Sequence, residues 1–575
     1  MIVNQIYKMN KFCFLITLAF FSGCNISQNS KSSDFIEGQG IIAKAGMVVS
    51  DHPQASRIGA AILKKGGNAV DAAIATGLAL AVCYPEAGNI GGGGFMLIRN
   101  NNGKVDEIDF REKAPANSSR DMYLDKSGKV IDSLIMDTQL ASGVPGSVDG
   151  FISAHEKYGK LPFKELIQPA IDLAENGFPL SSQQARSFNG NRKIFQKRNK
   201  GGTPFVKDSL WKAGDILKQP DLAKTLMRIR DSGRDGFYSG PTADMIQKEM
   251  VRGNGTIKLS DLTAYKSIWR EPLVGNYRGY RIITACPPSS GGIIILQLLK
   301  MTEKYQLKEI GYHSLASIHL FTEAERRSFA DRAEFMGDPD FVKVPVRELL
   351  DDSYLSSRMK SFDSNKASQS SSVTHGDPVP HESEQTTHYS VVDPFGNAVS
   401  TTTTLNNTFG TSIMVEGAGF LLNNEMDDFS AKPGSPNMFG LVGGEANAIK
   451  PDKRMLSSMT PTIIEKDSSL FLVVGSPGGA TIPTTVFQVI VNMIDYNMGV
   501  QDAVNAGRFH HQWLPDQIIY ENRAIDSSTL QKLKLIGHNL KIRGSIGLVN
   551  AIQILPNGNR AGGADPRGYN VACGF

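Results

Sequence analysis

One threonine in the sequence follows a sharp change of composition. Residues 361–385 are polar, carry few apolar side chains and include two prolines, which is typical of an exposed and poorly packed segment. From Thr386 onward the pattern becomes that of a β-strand, because 387–392 is rich in β-branched and aromatic residues. A turn at 393–397 then leads into a second β-branched run, 399–404. The sequence therefore predicts a hairpin that begins at Thr386.

A threonine at a new N-terminus has chemistry that an internal threonine lacks. A hydroxyl is a weak nucleophile near neutral pH unless a base takes its proton. The α-amino group of an N-terminal residue can be that base, because its pKa of about 7.7–8.0 suits proton transfer near pH 7. Such a residue needs a removable segment before it and a rigid strand to hold it, and Thr386 has both. The residues alone leave a second interpretation open, in which 361–385 is an ordinary loop and Thr386 only begins a strand.

Other motifs for catalysis or cofactor binding are absent from the sequence or weak. The chain has no nucleophile-elbow G-x-S-x-G, no P-loop and no zinc-binding H-E-x-x-H. Residues 38–43 resemble a dinucleotide-binding glycine fingerprint, but they lie before a strand rather than after one. His510 and His511 are adjacent, and adjacent residues rarely face one metal ion, so we interpret both as structural. We expect neither a metal nor a cofactor.

Composition and charge exclude several classes of protein. Of the 575 residues, 41% are hydrophobic and 21% are charged, which is ordinary for a soluble globular protein. The net charge is +4 and no Lys/Arg-rich run is present, so nothing predicts binding to nucleic acid. The cysteines do not have metal-ligand spacing, and no disulfide framework is expected.

The first residues predict export. Lys8 and Lys11 precede an apolar run at 12–21, which is too short to span a bilayer, and Ser22-Gly23-Cys24 follows. We therefore interpret 1–24 as a signal peptide and 25–43 as a flexible segment. The last three residues of the signal also resemble a lipoprotein box, although Phe21 stands where a leucine is usual. The expected location is the periplasm or the medium, with Cys24 as the one candidate for a lipid anchor to the membrane.

Helical and strand patterns alternate along the rest of the chain, which predicts a layered α/β or α+β body. Helical spacing occurs at 56–83, 162–176, 220–230, 241–251, 292–305, 314–336, 481–496 and 529–537. Besides the hairpin, strand patterns occur at 95–98, 105–110, 411–415, 419–423, 461–465, 470–475, 517–521 and 549–555.

Eight short motifs, in order along the chain, resemble those of the bacterial γ-glutamyltransferases. The similarity runs from about Lys44 to the C-terminus, and the motifs are specific as a set rather than one by one. The motifs that resemble the large subunit of that family lie at 66–73, 88–94, 109–112 and 287–292. Those that resemble the small subunit lie at 386–393, 421–430, 456–459 and 475–479.

The resemblance implies a fold and a processing event. The family has the α+β N-terminal-nucleophile hydrolase fold, in which two stacked sheets lie between helical layers in an αββα order. Two chains cut from one precursor form this fold jointly, as a heterodimer. Here the cut would fall between Gln385 and Thr386, giving a large subunit, 44–385, and a catalytic small subunit, 386–575.

The resemblance also implies catalytic roles. Thr386 would attack the carbonyl before it to release the new N-terminus, and would then attack the γ-carbonyl of a substrate. Thr404 matches a second threonine that positions and activates the nucleophile. Gly478 and Gly479 match the backbone donors of an oxyanion hole, where glycine permits close approach.

A γ-glutamyl head carries a free α-carboxylate and a free α-ammonium, and residues that match the family's motifs supply the opposite charges. Arg111 matches the residue that binds the carboxylate, because a guanidinium can bind it with two parallel hydrogen bonds. Glu425 and Asp428 match the acceptors for the ammonium. The expected substrate-binding residues are Arg111, Asn406, Glu425, Asp428, Ser457 and Ser458.

The implied activity is cleavage of glutathione and other γ-glutamyl compounds, with transfer of the acyl group to water or to an amino acid or dipeptide. Phe439 stands where relatives carry a tyrosine in the lid segment 433–444, which leaves the balance between hydrolysis and transfer open. Two alternatives remain. One is an enzyme of the same superfamily that resembles a cephalosporin acylase or a capsule depolymerase. The other is an inactive surface protein that kept the fold and binds a ligand.

Overall fold

Two large β-sheets form the centre of the computed structural model, which describes residues 35–36, 38–374, 386–434, 443–522 and 524–575. The signal peptide at 1–24, Cys24, Gln385 and Phe439 of the lid segment lie outside the described residues. Within the described residues, no helix is both long enough and apolar enough to cross a membrane. Cys83, Cys286 and Cys573 are free thiols.

The strands of the described residues, numbered in chain order, are mostly short. They are β1 Phe35–Ile36, β2 Gly40–Ala43, β3 Met47–Ser50, β4 Gly93–Arg99, β5 Val105–Asp109, β6 Phe178–Pro179, β7 Ile216–Leu217, β8 Ile268–Arg270, β9 Leu273–Tyr277, β10 Tyr280–Thr284, β11 Thr386–Val392, β12 Ala398–Thr404, β13 Thr462–Lys466, β14 Ser469–Gly475, β15 Phe509–His510, β16 Ile518–Glu521, β17 Leu540–Arg543, β18 Asn550–Ile554, β19 Arg560–Ala564 and β20 Val571–Gly574.

The α-helices of the described residues are numbered in the same way. They are α1 Pro53–Lys64, α2 Ala69–Cys83, α3 Asp132–Asp137, α4 Ser147–Tyr158, α5 Phe163–Asn176, α6 Ser182–Arg198, α7 Pro220–Ser232, α8 Asp235–Tyr238, α9 Gly240–Arg252, α10 Leu259–Ala264, α11 Gly291–Glu303, α12 Leu307–Ile310, α13 Leu315–Phe335, α14 Val346–Leu349, α15 Asp352–Arg358, α16 Thr481–Ile494, α17 Val500–Asn505 and α18 Ser527–Leu535.

The two large sheets are antiparallel at every pairing. The first has eight strands in the order β1-β2-β19-β18-β14-β13-β10-β9. The second has seven strands in the order β20-β3-β11-β12-β4-β5-β8, so the predicted hairpin β11–β12 lies at its centre. Both sheets contain strands from before and after residue 386, which means that neither half of the chain can complete a sheet alone.

The sheets pack face to face, and helices cover their outer faces. Apolar side chains from both sheets form a shared core, which includes Met47, Val49, Leu97 and Val392 from one sheet and Ile463, Val473 and Ile552 from the other. Helices α1, α2 and α5 pack in a second core on the seven-stranded sheet. Helices α11, α13 and α16 pack in a third core on the eight-stranded sheet. The α+β expectation is confirmed.

The helical pattern at 56–83 is two helices rather than one. Gly66 has a φ of 98°, which a residue with a side chain rarely adopts, and the first helix ends just before it. Asn68 then caps α2, because its side chain accepts from the amide of Asp71 and the Asp71 carboxylate accepts from the amide of Asn68. The small residues of α2 allow it to lie fully buried.

The strand predictions at 411–415 and 419–423 are wrong. These residues form a turn-rich loop whose single strand-like contact is a bridge between Met414 and Leu421. Glycines with positive φ lie beside these segments or at their start, at Gly410 (53°), Gly417 (77°) and Gly419 (76°), and they reverse the backbone there. The apolar runs alone therefore misled the prediction, because the glycines that break the ladder lie at its ends.

Candidate active site

Thr386 is the first residue of β11 and lies at the end of the central hairpin. It pairs with Thr404, the last residue of β12, and the two strands stay in register for seven residue pairs. The Asp393 carboxylate holds the turn between the strands, accepting from the amides of Phe395 and Asn397 at 2.9 and 3.0 Å. Thr386 is 6% exposed, so its side chain lies in a nearly closed site rather than on the surface.

A glycine-rich segment packs closely against the backbone of strand β12. A Cβ on Gly92 would overlap the carbonyl oxygen of Thr404, and a Cβ on Gly94 would overlap that of Thr402. Asn89 donates from its side chain to the same Thr404 carbonyl at 2.8 Å. The glycines at 91–94 are thus needed for close backbone approach, which fixes the position of Thr404 opposite Thr386.

Thr404 also meets the first loop residue that lines the site. The hydroxyl of Thr404 accepts from the backbone amide of Asn406 at 2.8 Å. Asn406 has a φ of 74°, and its side chain donates to the carbonyl of Asn424 at 2.9 Å. This links the loop after β12 to the segment that carries the acidic residues.

The Gly478–Gly479 pair lies just before helix α16. Gly478 has a φ of 134° and Gly479 a φ of 54°. The carbonyl of Gly478 accepts from the amide and from the hydroxyl of Thr481, at 3.0 and 2.7 Å. Amides at the start of a 14-residue helix are suited to binding a negative charge, because several of them lack partners inside the helix.

Arg111 forms a buried ion-pair cluster with three carboxylates. One terminal nitrogen of its guanidinium donates to Glu425 and lies 3.6 Å from Glu112, and the other donates to Asp428. The same guanidinium donates to the carbonyl of Leu456 at 3.1 Å. Arg111 is 0% exposed, so the interaction is not screened by bulk water.

Burial controls the charges in this cluster. Burial raises the pKa of Glu425 well above its usual range and raises that of Asp428, and the neighbouring Arg111 opposes both shifts. Burial also raises the pKa of Glu112 to about 8, again against the attraction of Arg111. The charge of Arg332 also opposes the shift at Asp428, so two guanidiniums lie near three carboxyls, and the cluster attracts a further positive charge when all three carboxyls are ionised.

Ser457 and Ser458 form another part of the wall of the site. The amide of Ser457 donates to Pro288 at 2.9 Å, and its carbonyl accepts from the amide and the hydroxyl of Ser290, both at 2.7 Å. The Ser458 hydroxyl is buried and has no hydrogen-bond partner among the described residues. A buried hydroxyl without a partner is costly unless a ligand or water completes it.

All of these elements meet at one cavity. Its volume is about 30 Å³, which holds water but not an amino-acid head. The cavity is small because Arg111 and its acidic partners close on one another across it. Its lining residues are Arg111, Arg332, Thr386, Thr404, Asn406, Glu425, Asp428, Ser457, Ser458, Met459, Gly479, Ala480 and Ile482. Every predicted catalytic or substrate-binding residue except Gly478 is in this set, and Gly478 precedes Gly479 in the chain.

A larger cavity, of about 420 Å³, lies elsewhere, but we do not assign the chemistry to it. Its lining includes Asp221, Arg252 and Glu416, and two of these already pair, since Arg252 donates to Glu416 at 2.8 Å. None of the predicted site residues lines it. We assign the chemistry to the smaller cavity because it places a nucleophile beside side chains of both charges, which is a stronger criterion than volume.

Sequence reasoning missed Arg332, which lines the site from helix α13. Its Nε donates to the hydroxyl of Ser290 at 3.0 Å, and Ser290 in turn supports Ser457. The sequence does not mark Arg332 as a site residue. The structure shows that α13 buries charged residues along most of its length, which ordinary surface helices do not. Asp51, beside the strand that carries Thr386, was missed as well.

One cluster in the described residues has metal-ligand chemistry, but we do not assign a metal to it. Ligand atoms of His319, Glu323 and His538 lie within 4.8 Å of one another. The Glu323 carboxylate, however, already accepts from Arg326 and Arg327, at 3.3 and 2.6 Å. Two guanidinium charges beside the site disfavour a cation, and each histidine satisfies the other through a 2.8 Å N···N hydrogen bond.

Comparisons with known proteins identify the family of the chain. Residues 55–575 match the family model described as Gamma-glutamyltranspeptidase. The chain is 48% identical to the glutathione hydrolase proenzyme of Escherichia coli (strain K12) over 91% of each chain.

Solved structures extend the comparison to the fold. The crystal structure of cephalosporin acylase from Bacillus halodurans matches with a TM-score of 0.80 and 26% identity, covering 93% of this chain and 96% of that one. A Helicobacter pylori gamma-glutamyltranspeptidase chain matches with a TM-score of 0.56 and 45% identity, covering 56% of this chain and 94% of that one.

Proposed function

The chain belongs to the gamma-glutamyltranspeptidase family, and on that premise we propose that it is a self-processing glutathione hydrolase and γ-glutamyltransferase with Thr386 as its nucleophile. One observation carries the assignment of the residues. Thr386 lines the same small cavity as the cation Arg111 and the anions Glu425 and Asp428. A nucleophile beside both signs of charge suits an acyl donor with a free amino-acid head.

Maturation would divide the chain into a large subunit, 44–385, and a small subunit, 386–575. The hydroxyl of Thr386 attacks the carbonyl carbon of Gln385, and the peptide C–N bond breaks as the α-amine of Thr386 leaves. Water then hydrolyses the resulting ester. The two chains remain together as a heterodimer with the αββα N-terminal-nucleophile fold, a proposal supported by the sheets that both halves share.

In the catalytic cycle the free α-amine of Thr386 takes the hydroxyl proton, and the oxygen attacks the γ-carbonyl of the substrate. The amides of Gly478 and Gly479 would stabilise the oxyanion, a role supported by their position before α16. The proton passes to the leaving amine, which for glutathione is cysteinylglycine, and a γ-glutamyl ester forms on Thr386. Water or the amine of an amino acid or dipeptide then resolves the ester.

Substrate binding would replace the ion pairs within the Arg111 cluster by contacts to the substrate. The substrate's α-carboxylate binds Arg111 with help from Ser457 and Ser458, and this replaces the Arg111 contacts to the acids. The α-ammonium takes the place of the guanidinium beside Glu425 and Asp428, with Asn406 as a further acceptor. Because the zwitterion brings one charge of each sign, the buried cluster keeps its net charge, which limits the cost of opening it.

The proposed location is outside the cytoplasm, in the periplasm or the medium. The support is the signal-like sequence at 1–24, and Cys24 is the candidate for a lipid anchor. Mass spectrometry of the mature N-terminus distinguishes the two forms, because lipidation adds acyl chains to Cys24.

A second candidate function is an acylase that prefers a glutaryl group. The match to cephalosporin acylase over 93% of this chain favours it. A glutaryl group lacks the α-ammonium, however, so the buried carboxylates of Glu425 and Asp428 would have no positive charge to bind. The paired acids therefore support the γ-glutamyl assignment. An inactive binding protein is supported still less, since Thr386, Thr404 and the glycine pair are all in place.

Two measurements test the proposal. The first is intact mass under denaturing conditions, which should give two chains, the smaller beginning at Thr386. The second compares the turnover of γ-glutamyl and glutaryl p-nitroanilides, and we expect at least a tenfold preference for the former. A single uncut chain points to the binding protein, and a preference for the glutaryl compound points to the acylase.

A further inference from the structure

We propose that Asp51 is a positioning residue for the nucleophile, holding the strand end that carries Thr386 through contacts to Thr387 and His388. The proposal rests on the proposed function and adds a residue to it. Asp51 follows the last residue of β3, is 1% exposed and belongs to the large-subunit half of the chain.

The pairing of β11 shows why an anchor is needed. On one side β11 pairs with β12 along its whole length, from Thr386 to Val392. On the other side its partner β3 reaches only to the pair Tyr389–Ser50. Residues 386–388 therefore extend beyond β3, and their backbone groups on this side of β11 have no partner in β3.

The Asp51 carboxylate takes the place of that missing strand. Its Oδ2 accepts from the hydroxyl of Thr387 at 2.7 Å and from the amide of His388 at 3.4 Å. Its Oδ1 accepts from the side-chain amides of Asn550 and Asn570 at 2.6 and 2.7 Å. Asn550 also donates to the carbonyl of His388 at 2.6 Å, so the anchor holds both backbone groups of that residue.

The cut before Thr386 makes this anchor more important. Once the bond is broken, the covalent link to the preceding segment no longer restrains Thr386, and strand ends fray readily. Its hydroxyl and amine must nevertheless stay aligned with the substrate carbonyl, because small displacements of a reacting group lower the rate steeply. Asp51 of the other chain binds Thr387, the residue after the new terminus, and so keeps Thr386 paired with Thr404.

The anchor functions in its ionised form. All four groups that contact the carboxylate donate hydrogen bonds, so a proton on Asp51 would meet a donor and break one contact. Burial raises the pKa of Asp51 to about 7, against the hydrogen bonds from Thr387 and Asn550 and with a smaller contribution from the charge of Asp565. The anchor should therefore weaken as the pH falls through neutrality.

The titratable side chains His52, His388 and Tyr84 supply no positive charge to hold Asp51 ionised. Burial lowers the pKa of the adjacent His52 to about 4 and that of His388 to about 3, so both are neutral at pH 7. The His388 ring contacts Thr402 and Ser390 rather than Asp51. Tyr84, whose pKa burial raises well above its usual value, is also neutral.

The test uses two nearly isosteric variants. Asp51→Asn replaces an acceptor oxygen with a donor, and Thr387→Val removes the hydroxyl that reaches it. We expect each to lower kcat for γ-glutamyl p-nitroanilide about 100-fold, with KM changed less than threefold. The double variant should be no worse than the more affected single one, because both break the same contact. Thr387→Ser keeps the hydroxyl and should restore kcat to within threefold of the wild type.

Two further readouts separate positioning from folding and from the proposed function. The acid limb of kcat near pH 7 should be less steep in the residual activity of Asp51→Asn, because the α-amine of Thr386 still titrates there but Asp51 no longer does. Hydrogen exchange at the His388 amide, measured on a proteolytic peptide that covers 386–392, should accelerate at least tenfold in both variants, even if the wild type were uncut or inactive. An unchanged exchange rate in both variants, or strictly additive kcat losses, overturns the anchor. A wild type without γ-glutamyl turnover overturns the proposed function instead, and exchange still decides the anchor.

Discussion

Thr386 and Thr404 face each other as the terminal pair of the β11–β12 hairpin, at the centre of the seven-stranded sheet. The central position matters because strands on both sides fix the backbone of β12, while the first residues of β11 extend past β3. Thr404 is thus on a rigid support, and its hydroxyl already accepts from Asn406. A nucleophile at Thr386 would have its positioning neighbour fixed before any cut occurs.

Replacing Thr386 by alanine removes the attacking oxygen. We expect Thr386→Ala to remain a single chain and to give no turnover of a γ-glutamyl substrate, because no other hydroxyl occupies the first position of β11. Denaturing mass spectrometry after long incubation checks the first point. Thr263→Ala, at an exposed position of helix α10, is the control and should mature like the wild type. Two chains from Thr386→Ala would contradict self-processing by this residue.

Changing Arg111 to lysine separates substrate binding from maturation. Lysine keeps the charge among the buried acids, so the cluster stays compensated, but it loses the planar fork that binds a carboxylate through two hydrogen bonds. We expect Arg111→Lys to mature normally and to lose about 100-fold in kcat/KM, equivalent to about 2.7 kcal/mol.

The matching alanine variant shows what the charge itself contributes. Arg111→Ala leaves Glu425 and Asp428 buried without their cation, and such a change costs about 3–5 kcal/mol of stability. We expect it still to cleave itself, with a lower melting temperature and severely reduced γ-glutamyl turnover. Near-normal turnover in either variant would remove Arg111 from the carboxylate site.

The sequence predicted the parts of the site that depend on local pattern. The strand-like runs on either side of the turn at 393–397 were sufficient to predict the hairpin, and the structure adds the register that pairs Thr386 with Thr404. The substrate-binding residues, by contrast, were predicted from the resemblance of motifs to those of the family and not from periodicity. The structure adds that residues as distant in sequence as Arg111 and Asp428 line one cavity.

The residues that sequence reasoning missed act across long separations. Asp51 reaches Thr387 over 336 positions, and nothing in the local sequence marks it as different from any carboxyl after a short strand. Arg332 lies in a helix whose pattern predicted the helix correctly but not its burial. The loop after Thr404 was assigned strands because composition does not reveal where glycines adopt positive φ.

Acid should destabilise the folded protein through its buried histidines. Burial lowers the pKa of six of them from the ordinary 6.5 to about 3 or 4, namely His52, His313, His388, His510, His511 and His538. The folded state therefore holds them neutral, whereas the unfolded chain binds protons below pH 6.5. Their contribution is complete above pH 6.5 and is lost as the pH falls from 6.5 towards 4.

Each such histidine reduces the free energy of unfolding by up to about 1.4 kcal/mol per pH unit in this window. The buried acids act in the opposite sense, because burial raises the pKa of Glu112 to about 8 and that of Asp51 to about 7, so the histidine contribution is measured as a difference between two proteins. We expect the melting temperature of His510→Gln to rise relative to that of the wild type between pH 6.5 and 5, because glutamine cannot take up the proton. A difference that stays constant down to pH 5 would contradict the neutral, buried state of His510.

The glycine pair before α16 offers a graded test of the oxyanion hole. Gly478 has a φ of 134°, a region that only glycine tolerates, and a Cβ there would lie 2.5 Å from the Thr481 hydroxyl. Gly479 has a φ of 54°, in the left-handed region that alanine reaches at a cost of about 1–2 kcal/mol. Gly478→Ala should therefore displace the backbone amides more than Gly479→Ala does.

We expect Gly478→Ala to lower kcat about 100- to 1000-fold, the loss typical of one oxyanion donor, and to slow self-cleavage in parallel, since both reactions pass through a tetrahedral oxyanion. Gly479→Ala should lose about tenfold in both. Steady-state kinetics and the rate of appearance of the small chain measure the two effects. If Gly478→Ala impaired turnover but matured at the wild-type rate, the two reactions would not share this oxyanion site, and the assignment of the glycine pair to self-cleavage would be wrong.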